Sequence, residues 1–311
     1  MNGTGFTKGR LAVERTVALQ APAKVNLHLE VLRRRHDGYH DIETVLQAVA
    51  LFDAVRVTLH ERHPGGEPAI GLAVEGDVDV PADETNLCWR AARHFCRETG
   101  VSGRLSVHLD KRIPAGAGLG GGSADAAAVL VGCDRLFGTG LEPRELEKLG
   151  SGLGSDVPFF VRGGTQLGRG RGTLLTPLPT VRSGQFLIVK PPFELSTSDV
   201  YGRLRMGLTV KSPAANIHVL KPILARFPQQ TWPGYNRLEE VVLPEQPALQ
   251  RHVLRMRTLA PVAMLSGSGS AVVGVFQEGR DLTAIQEEFE QAGLWVRVVG
   301  PHAAGVGFTG G

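Results

Sequence analysis

The stretch "IPAGAGLGGGSADAAAVL", residues 113–130, sets a dense run of glycines directly before a segment typical of a helix. Five of the seven residues from 116 to 122 are glycine, and alanine and aliphatic residues dominate after Ser123. Because glycine has no Cβ, the backbone N–H groups of such a loop can converge on an anion. The first turn of the following helix adds unpaired N–H donors and partial positive charge. The pattern predicts a phosphate-binding loop and a helix over 123–137. The alternative is a flexible loop before an alanine-rich core helix.

The spacing of this loop differs from the two most common nucleotide-binding patterns. Gly116, Gly118 and Gly121 match G-x-G-x-x-G, but a dinucleotide site needs a strand that runs straight into the first glycine. Here the segment 110–114, which contains charged residues and a proline, intervenes. The lysine and Ser/Thr of a nucleotide P-loop and the H-R-D and D-F-G signatures of protein kinases are also missing. The loop therefore predicts a phosphate donor held by another architecture.

The composition is that of an ordinary globular protein. Hydrophobic residues make up 42% of the 311 residues and charged residues 21%, with a net charge of +3. This charge is too small to argue for a nucleic-acid or membrane partner, and it fits an anionic small molecule equally well. A chain of this length commonly divides into two lobes. We therefore expect a two-lobed protein with a small-molecule partner and with no nucleic-acid or membrane partner.

The cysteines and the termini indicate a cytoplasmic protein. Cys88, Cys96 and Cys133 show no metal-ligand spacing and no disulfide framework. Residues 1–16 carry several charges and no signal-peptide pattern, and no apolar run reaches the ~20 residues of a spanning helix. We expect reduced thiols, a loose leader over 1–16 and a frayed tail over 307–311.

Strands and helices alternate without a regular β-α-β rhythm. The segment "KVNLHLEVL" (24–32) alternates apolar and polar residues, as a half-buried strand does. Helical spacing extends over 83–100, with Asp83 or Thr85 as the expected N-cap. The segment 163–178 predicts two strands joined by the glycine turn "GRGRG". This mixture favours an α+β fold over a doubly wound α/β fold.

Three motifs together resemble the GHMP kinase superfamily, which contains galactokinases, homoserine kinases, mevalonate kinases and phosphomevalonate kinases. "APAKVNLHL" (21–29) is similar to the first motif of these enzymes, and "PAGAGLGGGSADAA" (114–127) is similar to their phosphate-binding motif. "SGSGSAVV" (266–273) is similar to the third motif, a second glycine turn that closes over the nucleotide phosphates. The resemblance keeps the motif order and extends from about residue 17 to about residue 300.

Four further motifs resemble one branch of this superfamily, whose substrate is a diphosphocytidyl-linked alcohol. They are "DGYH" (37–40), "GSDVPFF" (154–160), "STSDVY" (196–201) and "NRLE" (236–239). The chain departs from the branch at two places. Ala124-Asp125 stands where Ser-Asn is more frequent, which adds a carboxylate near the expected phosphate, and Arg237 stands where Asp is frequent. We expect only a local effect from Arg237.

The resemblance implies a two-lobed α+β fold with the active site in the cleft between the lobes. The N-terminal lobe would comprise residues 17–180 and the C-terminal lobe residues 181–311. ATP would be the phosphate donor, with Mg²⁺ as the accompanying cation, for which the sequence indicates no protein ligands. The residues expected to hold ATP are Pro114, Ala115, Gly116, Ala117, Gly118, Leu119, Gly120, Gly121, Gly122, Ser123, Ala124, Ser266, Gly267, Ser268 and Gly269.

Asp156 and Lys24 are the predicted catalytic residues. Asp156 follows a Gly-Ser step and precedes a proline and two phenylalanines, so a rigid apolar wall would fix a general base there. Its alternative role is that of a helix N-cap or turn aspartate. Lys24 would keep this base ionised and stabilise charge as the alkoxide forms. Its alternative position is a solvated strand face.

The predicted substrate residues come from the branch-specific motifs and from the first strand. They are Asn26, Tyr39, His40, Thr197 and Tyr201. Two tyrosine rings could sandwich a pyrimidine, a histidine could read the edge of the base, and the remaining polar groups could bind a hydroxyl or a phosphate. The alternative for each tyrosine is a half-buried packing residue. The arginines at 33–35 are interpreted as a solvated strand end, with a position near the diphosphate as the alternative.

These motifs predict an ATP-dependent kinase for a diphosphocytidyl-linked alcohol, active as a monomer or a homodimer. A GHMP kinase with another alcohol, of the mevalonate or homoserine type, is the nearest alternative, and "DGYH" with "GSDVPFF" argues against it. A non-catalytic nucleotide-binding protein is a second alternative, opposed by Lys24 and Asp156. A dinucleotide-dependent oxidoreductase is the third.

Overall fold

The computed structural model of this protein describes residues 11–204 and 234–309, together with residues 222, 224, 226, 227 and 230. Two sheets and the helices packed against them make up this part of the chain, so the predicted α+β class is confirmed. No helix within the described ranges combines the length and the apolar character that crossing a membrane requires.

The larger sheet has seven strands and holds the first and last described strands. Its members are β1 (Leu11–Arg34), β2 (His40–His63), β3 (Ala69–Gly76), β4 (Ser102–Lys111), β5 (Thr165–Gly170), β6 (Leu174–Pro177) and β11 (Gly307–Phe308). The order is β11-β1-β2-β4-β3, and β5 extends the sheet from β2 with β6 beside it. All pairs are antiparallel except β3 with β4. The turn "GRGRG" joins β5 to β6, as predicted.

Four helices cover one side of this sheet and enclose its core. They are α1 (Leu87–Thr99), α2 (Gly121–Phe137), α3 (Pro143–Ser151) and α4 (Val157–Arg162). Ala126, Ala127 and Ala128 of α2 are fully buried, because short side chains let this helix lie close to its neighbours. Asn86 caps α1 by accepting a hydrogen bond from the backbone N–H two residues later, so the expected caps Asp83 and Thr85 are wrong.

The smaller sheet has four strands in the order β10-β7-β9-β8. These strands are β7 (Gln185–Lys190), β8 (Val262–Leu265), β9 (Val272–Phe276) and β10 (Trp295–Val299). The associated helices are α5 (Thr197–Arg203), α6 (Glu239–Glu245), α7 (Pro247–Leu259) and α8 (Thr283–Gln291). Every residue of β8 and β9 is buried, although β8 is an edge strand, because side chains on the two faces of this sheet belong to two different hydrophobic clusters.

Both expected loose termini are partly ordered as strands. Strand β1 starts at Leu11, and Arg15 and Thr16 pair with β2, so the prediction of a leader reaching residue 16 is wrong for these residues. Gly307 and Phe308 pair with β1 instead of fraying. The sequence signal for these strands is weak, because their pairing partners lie far away along the chain.

The C-terminal segment also supports α4, the helix that follows Asp156. The N–H of Val306 donates a hydrogen bond of 2.8 Å to the carbonyl oxygen of Phe160. Gly305 lies so close to the same carbonyl that an added Cβ would overlap with it. Because the ring of Phe160 is fully buried, α4 has little freedom to move away.

We predict that Gly305→Ala lowers the free energy of unfolding by about 1–3 kcal/mol, because overpacking must displace the backbone of α4. Chemical denaturation monitored by circular dichroism measures this loss. Gly307→Ala is the matched control, since a Cβ there would meet no described atom within 4 Å. Equal stability of the two variants would contradict the supporting role of the C-terminal segment.

Candidate active site

The glycine loop between β4 and α2 has the backbone conformation that its sequence predicts. Gly116, Gly118 and Gly120 have φ angles of 58°, 73° and 73°, in the left-handed region that residues with a Cβ rarely adopt. Space is also lacking, since a Cβ at Gly120 would lie 2.7 Å from Cζ of Phe160. Helix α2 starts directly after this loop, so its free N–H groups face the same side as the loop. The geometry suits an anion, and binding of the ATP phosphates by this loop stays a prediction.

The second glycine turn, residues 266–270, packs against the first loop. The hydroxyl of Ser266 donates to the carbonyl oxygen of Gly118 at 2.8 Å, and the N–H of Ala271 donates to the carbonyl oxygen of Ala117 at 3.1 Å. A Cβ at Gly118 would overlap with the carbonyl oxygen of Ser266. The two motifs are therefore in direct contact, although 148 positions separate Gly118 from Ser266.

The "NRLE" motif supports this second turn from behind. The Asn236 amide donates to the carbonyl oxygens of Leu265 at 3.0 Å and Gly267 at 2.7 Å. The Glu239 carboxylate accepts from the N–H of Leu265 at 2.8 Å. Arg237 makes an ion pair with Glu240, three residues later, in line with the local effect expected of Arg237.

A buried ion cluster lies beneath the glycine loop. The Lys111 ammonium contacts Asp53 and lies 3.1 Å from Oδ2 of Asp125. Asp53 also accepts hydrogen bonds from the backbone N–H groups of Arg112 at 2.6 Å and Ile113 at 2.8 Å. The cluster thus joins the segment that enters the loop to the first turns of α2.

Asp125, one of the departures noted in the sequence, belongs to this cluster and faces away from the loop surface. It is 1% exposed, and its Oδ1 has no hydrogen-bond partner among the described residues. Burial raises the pKa of Asp125 well above its ordinary value, and the Asp53 carboxylate adds to the rise while Lys111 opposes it. Gly121 belongs to the same region, since a Cβ there would lie 2.6 Å from Nζ of Lys111. A side chain at Gly121 would therefore disturb the ion cluster directly.

The two predicted catalytic side chains meet beside the glycine loop. Nζ of Lys24 lies 3.5 Å from Oδ2 of Asp156 and donates to Oδ1 of Asn26 at 2.7 Å. The Asn26 amide in turn donates to the Thr44 hydroxyl at 2.8 Å. The backbone N–H of Lys24 donates to the carbonyl oxygen of Leu119 at 2.9 Å, which ties the strand to the loop.

Asp156 stands directly before α4, but its side chain makes no capping hydrogen bond. Lys24 and Asn26 are each 3% exposed, so they do not belong to a solvated strand face. The Asp156 side chain remains 38% exposed, which leaves its carboxylate accessible from the cavity.

A single cavity of about 660 Å³ brings the predicted residues together. It is lined by both predicted catalytic residues, by all five predicted substrate residues and by parts of both glycine turns. The predicted residues in this lining are Lys24, Asn26, Tyr39, His40, Gly118, Asp156, Thr197, Tyr201, Gly267 and Ser268. The cavity therefore connects the glycine loop to the branch-specific motifs.

The aromatic part of the cavity contains a ring contact between two predicted substrate residues. The rings of His40 and Tyr201 have centroids 5.3 Å apart, with planes inclined at 37°. Burial, and then the charge of Arg34, lower the pKa of His40, so its imidazole is neutral at pH 7 and offers one donor and one acceptor. Burial, and then the charge of Asp156, raise the pKa of Tyr201, which stays protonated. Tyr39, in contrast, is 49% exposed.

Thr197 links the cavity wall to the second glycine turn. It is the first residue of α5, and its hydroxyl lies 2.9 Å from the hydroxyl of Ser268. Ser196 caps this helix by accepting from the N–H of Asp199 at 3.4 Å. The Ser196 cap and the contact between the Thr197 and Ser268 hydroxyls hold α5 in the position that brings Tyr201 to the cavity.

Sequence reasoning did not place several residues that line the cavity. They are Leu29, Arg34, Asp37, Gly38, Ile42, Thr44, Ser155, Arg171, Ser198 and Gly202. For the 33–35 segment, the alternative of a position near the substrate fits better than a plain solvated strand end, since Arg34 lines the cavity. Arg171 stands in the "GRGRG" turn, where only the pairing of β5 with β2 brings it beside the "DGYH" motif.

Comparison with known proteins places the chain in a family. Residues 86–164 match the model of the GHMP kinases N terminal domain. The 4-diphosphocytidyl-2-C-methyl-D-erythritol kinase of Syntrophomonas wolfei is 35% identical over 292 residues, which cover 89% of this chain and 95% of that protein. The chain belongs to the 4-diphosphocytidyl-2-C-methyl-D-erythritol kinase family. The family member from Carboxydothermus hydrogenoformans is 36% identical over 295 residues, with 92% and 96% covered. The resemblance to GHMP kinases is thereby confirmed.

Solved structures agree with this family. A crystal structure of 4-(cytidine 5'-diphospho)-2C-methyl-D-erythritol kinase matches with a TM-score of 0.71 and 33% identity, over 93% of this chain and 99% of that one. The mevalonate kinase of L. major in complex with R-mevalonate matches with a TM-score of 0.64 over 95% of this chain and 99% of that one. Its identity is 17%, so this second likeness shows the shared fold alone.

We predict that Gly120→Ala weakens ATP binding by at least roughly 10-fold, because the Cβ meets Phe160 and forces the loop out of its left-handed conformation. Calorimetric titration with a non-hydrolysable ATP analogue measures the effect. Gly138→Ala is the matched control: it lies at the other end of α2 with a φ of 64°, but a Cβ there has no described atom within 4 Å. The control should lose some stability and keep its ATP affinity. Equal ATP affinity in both variants would contradict the role of the loop.

We predict that Asp125→Asn stabilises the protein at neutral pH. Because burial raises the pKa of Asp125, the contribution of this group to the stability of the parent is most favourable below its ordinary carboxyl pKa of 3.8. Stability then falls as the pH rises through the window up to the raised pKa, since the unfolded state releases the proton first. Each pH unit in that window adds up to about 1.4 kcal/mol to the difference between variant and parent. Urea denaturation across this window measures the difference, with the exposed Asp77→Asn as control. A stability difference between variant and parent that does not change with pH would contradict the raised pKa of Asp125.

Proposed function

We propose that this protein transfers the γ-phosphoryl group of ATP to the 2-hydroxyl of 4-diphosphocytidyl-2-C-methyl-D-erythritol, an intermediate of non-mevalonate isoprenoid synthesis. The observation that carries the proposal is the contact of Lys24 with Asp156 inside a cavity that reaches from the glycine loop to Tyr39 and His40. Family membership supports the identity of the alcohol. A kinase for this substrate needs a triphosphate site and a cytosine site on either side of one reacting hydroxyl.

The triphosphate site of this proposal consists of residues 114–124 and 266–269. Converging N–H groups and the start of α2 would neutralise the phosphates. Mg²⁺ commonly keeps several water ligands and binds through substrate phosphates and one or two protein oxygens. Ser123, in the first turn of α2, would supply a protein oxygen, and the cation would neutralise charge on the transferred phosphoryl group.

In the reaction step, Asp156 accepts the proton of the substrate hydroxyl as the oxygen attacks the γ-phosphorus. The bond between the γ-phosphorus and the β–γ bridging oxygen breaks, and ADP leaves. The Lys24 ammonium, 3.5 Å from this carboxylate, stabilises negative charge that develops at the reacting oxygens. Asn26 holds the ammonium in place, because its own amide is fixed by Thr44. The burial of Lys24 strengthens each of these interactions, since little water screens them.

The cytosine would bind in the aromatic part of the cavity. Stacking of a base on an aromatic ring contributes ~1–3 kcal/mol in nucleic-acid sites, and Tyr39 and Tyr201 are the available rings. A neutral His40 can accept a hydrogen bond from the cytosine amino group or donate one to an acceptor on the same edge. Thr197 would bind a hydroxyl or a phosphate of the substrate.

A coupled assay with ATP and a panel of alcohols tests the proposed function. The panel contains the diphosphocytidyl-methylerythritol compound, mevalonate and homoserine, and the readout is ADP formation together with phosphorus NMR of the product. We expect turnover only with the first compound. Turnover with mevalonate or homoserine instead would refute the proposal, as would binding of ATP without turnover of any alcohol.

We predict that Asp156→Asn lowers turnover by roughly 10²–10⁴-fold with near-normal ATP affinity, because the variant keeps the shape of the side chain and loses the base. The lower end of this range is favoured, since a loose transition state depends less on proton removal. Steady-state kinetics at saturating substrate measures the loss. Asp199→Asn, the same exchange at an exposed residue of α5, should keep full turnover. A folded Asp156→Asn variant with parental turnover would remove Asp156 from the mechanism.

We predict that His40→Ala raises KM for the cytidyl substrate by at least roughly 10-fold and leaves KM for ATP unchanged. The parent should use a uridine analogue poorly, because a hydrogen-bonding site rejects a ligand that lacks the matching group. The variant should discriminate less between the two bases. His36→Ala changes an exposed histidine of the same turn and is the control. Equal use of cytidine and uridine analogues by the parent would exclude base reading by His40.

A further inference from the structure

Arg171 is a cavity residue to which the mechanism above gives no role. It stands in the turn between β5 and β6, and the pairing of β5 with β2 places this turn beside the "DGYH" motif. Its guanidinium carbon lies 3.6 Å from the centroid of the Tyr39 ring. Arg171 and Tyr39 both line the cavity that holds Lys24 and Asp156.

The polar atoms of Arg171 are incompletely paired. Its Nε is buried and has no hydrogen-bond partner in the described part of the chain. The acid beside it, Asp37, already accepts hydrogen bonds from Nε of Arg35 on both carboxylate oxygens, at 3.1 and 3.0 Å. At Nε, therefore, no protein acceptor among the described residues holds the guanidinium in one orientation.

The turn itself does not need the Arg171 side chain. Gly170 and Gly172 have φ angles of 64° and 93° and supply the left-handed conformations of the turn. The neighbouring Arg169 makes an ion pair with Glu43, with Nε and Oε2 2.9 Å apart, and does not line the cavity. The two arginines of "GRGRG" thus have different surroundings, and only one of them faces the ligand space.

The proposed substrate carries a diphosphate between its base and its alcohol. With the base on Tyr39 and the alcohol at Asp156, the diphosphate must cross the part of the cavity between them. The cations Lys24, Arg34 and Arg171 line this cavity together with the acids Asp37 and Asp156, so cations are in excess in its lining. A planar guanidinium can stack on an aromatic ring and donate two hydrogen bonds to a phosphate at the same time.

We propose that Arg171 determines substrate specificity by binding a phosphate of the diphosphocytidyl group while its guanidinium holds the Tyr39 ring in place. This inference rests on the proposed function and adds to it a residue that recognises the diphosphate. The base then stacks on the face of Tyr39 that Arg171 leaves free. An exposed ring held in this way is ordered before the substrate arrives, which favours binding.

Calorimetric titration with CDP and with cytidine tests the inference on the full-length protein. For Arg171→Gln we expect CDP affinity to fall roughly 10–100-fold, the range of a lost charge-assisted hydrogen bond, and cytidine affinity to fall much less. KM for the diphosphocytidyl substrate should rise in parallel, and KM for ATP should not change. Arg171→Lys should regain part of the CDP affinity, because it keeps the charge without the planar stack. Arg169→Gln, on the same hairpin, should match the parent in both titrations.

Two results would overturn the inference and leave the proposed function intact. Equal losses for CDP and cytidine would show that Arg171 acts through Tyr39 alone, and no loss for either would exclude both roles. A parent protein that binds neither CDP nor cytidine and phosphorylates a different alcohol would instead overturn the proposed function, and this inference with it. Melting temperatures of the variants close to that of the parent verify that each is folded.

Discussion

The close approach of two glycine turns is the constraint on which the rest of the site depends. The backbone at Gly118 lies so near the carbonyl oxygen of Ser266 that no side chain fits between them. This contact joins the loop after β4 to the turn between β8 and β9, one from each sheet. The carbonyl oxygen of Leu119 then accepts a hydrogen bond from the backbone N–H of Lys24, which fixes strand β1 to the same loop. The expected ATP site and Lys24 are therefore positioned by one set of short backbone contacts.

Two buried lysines illustrate how surroundings separate a structural charge from one that is proposed to take part in catalysis. Lys111 lies between Asp53 and Asp125 and has no accessible side, so it serves the packing of the loop. Lys24 is equally buried but lies 3.5 Å from a carboxylate that remains partly exposed to the cavity. A charge whose partners are all internal cannot respond to a ligand, whereas the Lys24–Asp156 pair opens onto the space where the substrate would bind.

Local sequence patterns predicted the parts of the site that short segments determine. The glycine loop, the helix after it and the strand over 24–32 follow from local sequence, and all three are present. The prediction that this strand is half-buried is wrong, because Lys24, Asn26 and His28 on its polar face are buried too. The family resemblance supplied the roles of Lys24 and Asp156, because a lysine on a strand and an aspartate before a helix have common structural alternatives. The cavity then brought these two residues together with the tyrosines and His40 of the branch-specific motifs.

Features that depend on pairing between segments far apart in the sequence were not predicted. Arg171 reaches Tyr39 only because β5 pairs with β2, and Gly307 forms a strand only because β1 lies beside it. The direction of Asp125 likewise depends on Lys111, which belongs to another element. Such contacts have no signal in the local sequence, since register between distant strands is set by the whole core.

The central claim is that one cavity holds the reacting hydroxyl between Asp156 and the γ-phosphate of ATP. A crystal structure with a non-hydrolysable ATP analogue and 4-diphosphocytidyl-2-C-methyl-D-erythritol tests it most directly. We expect the 2-hydroxyl within hydrogen-bond distance of the Asp156 carboxylate, the triphosphate on residues 114–124, and the cytosine beside Tyr39 and His40. A cytosine bound outside this cavity, or a hydroxyl that contacts neither Asp156 nor Lys24, would contradict it.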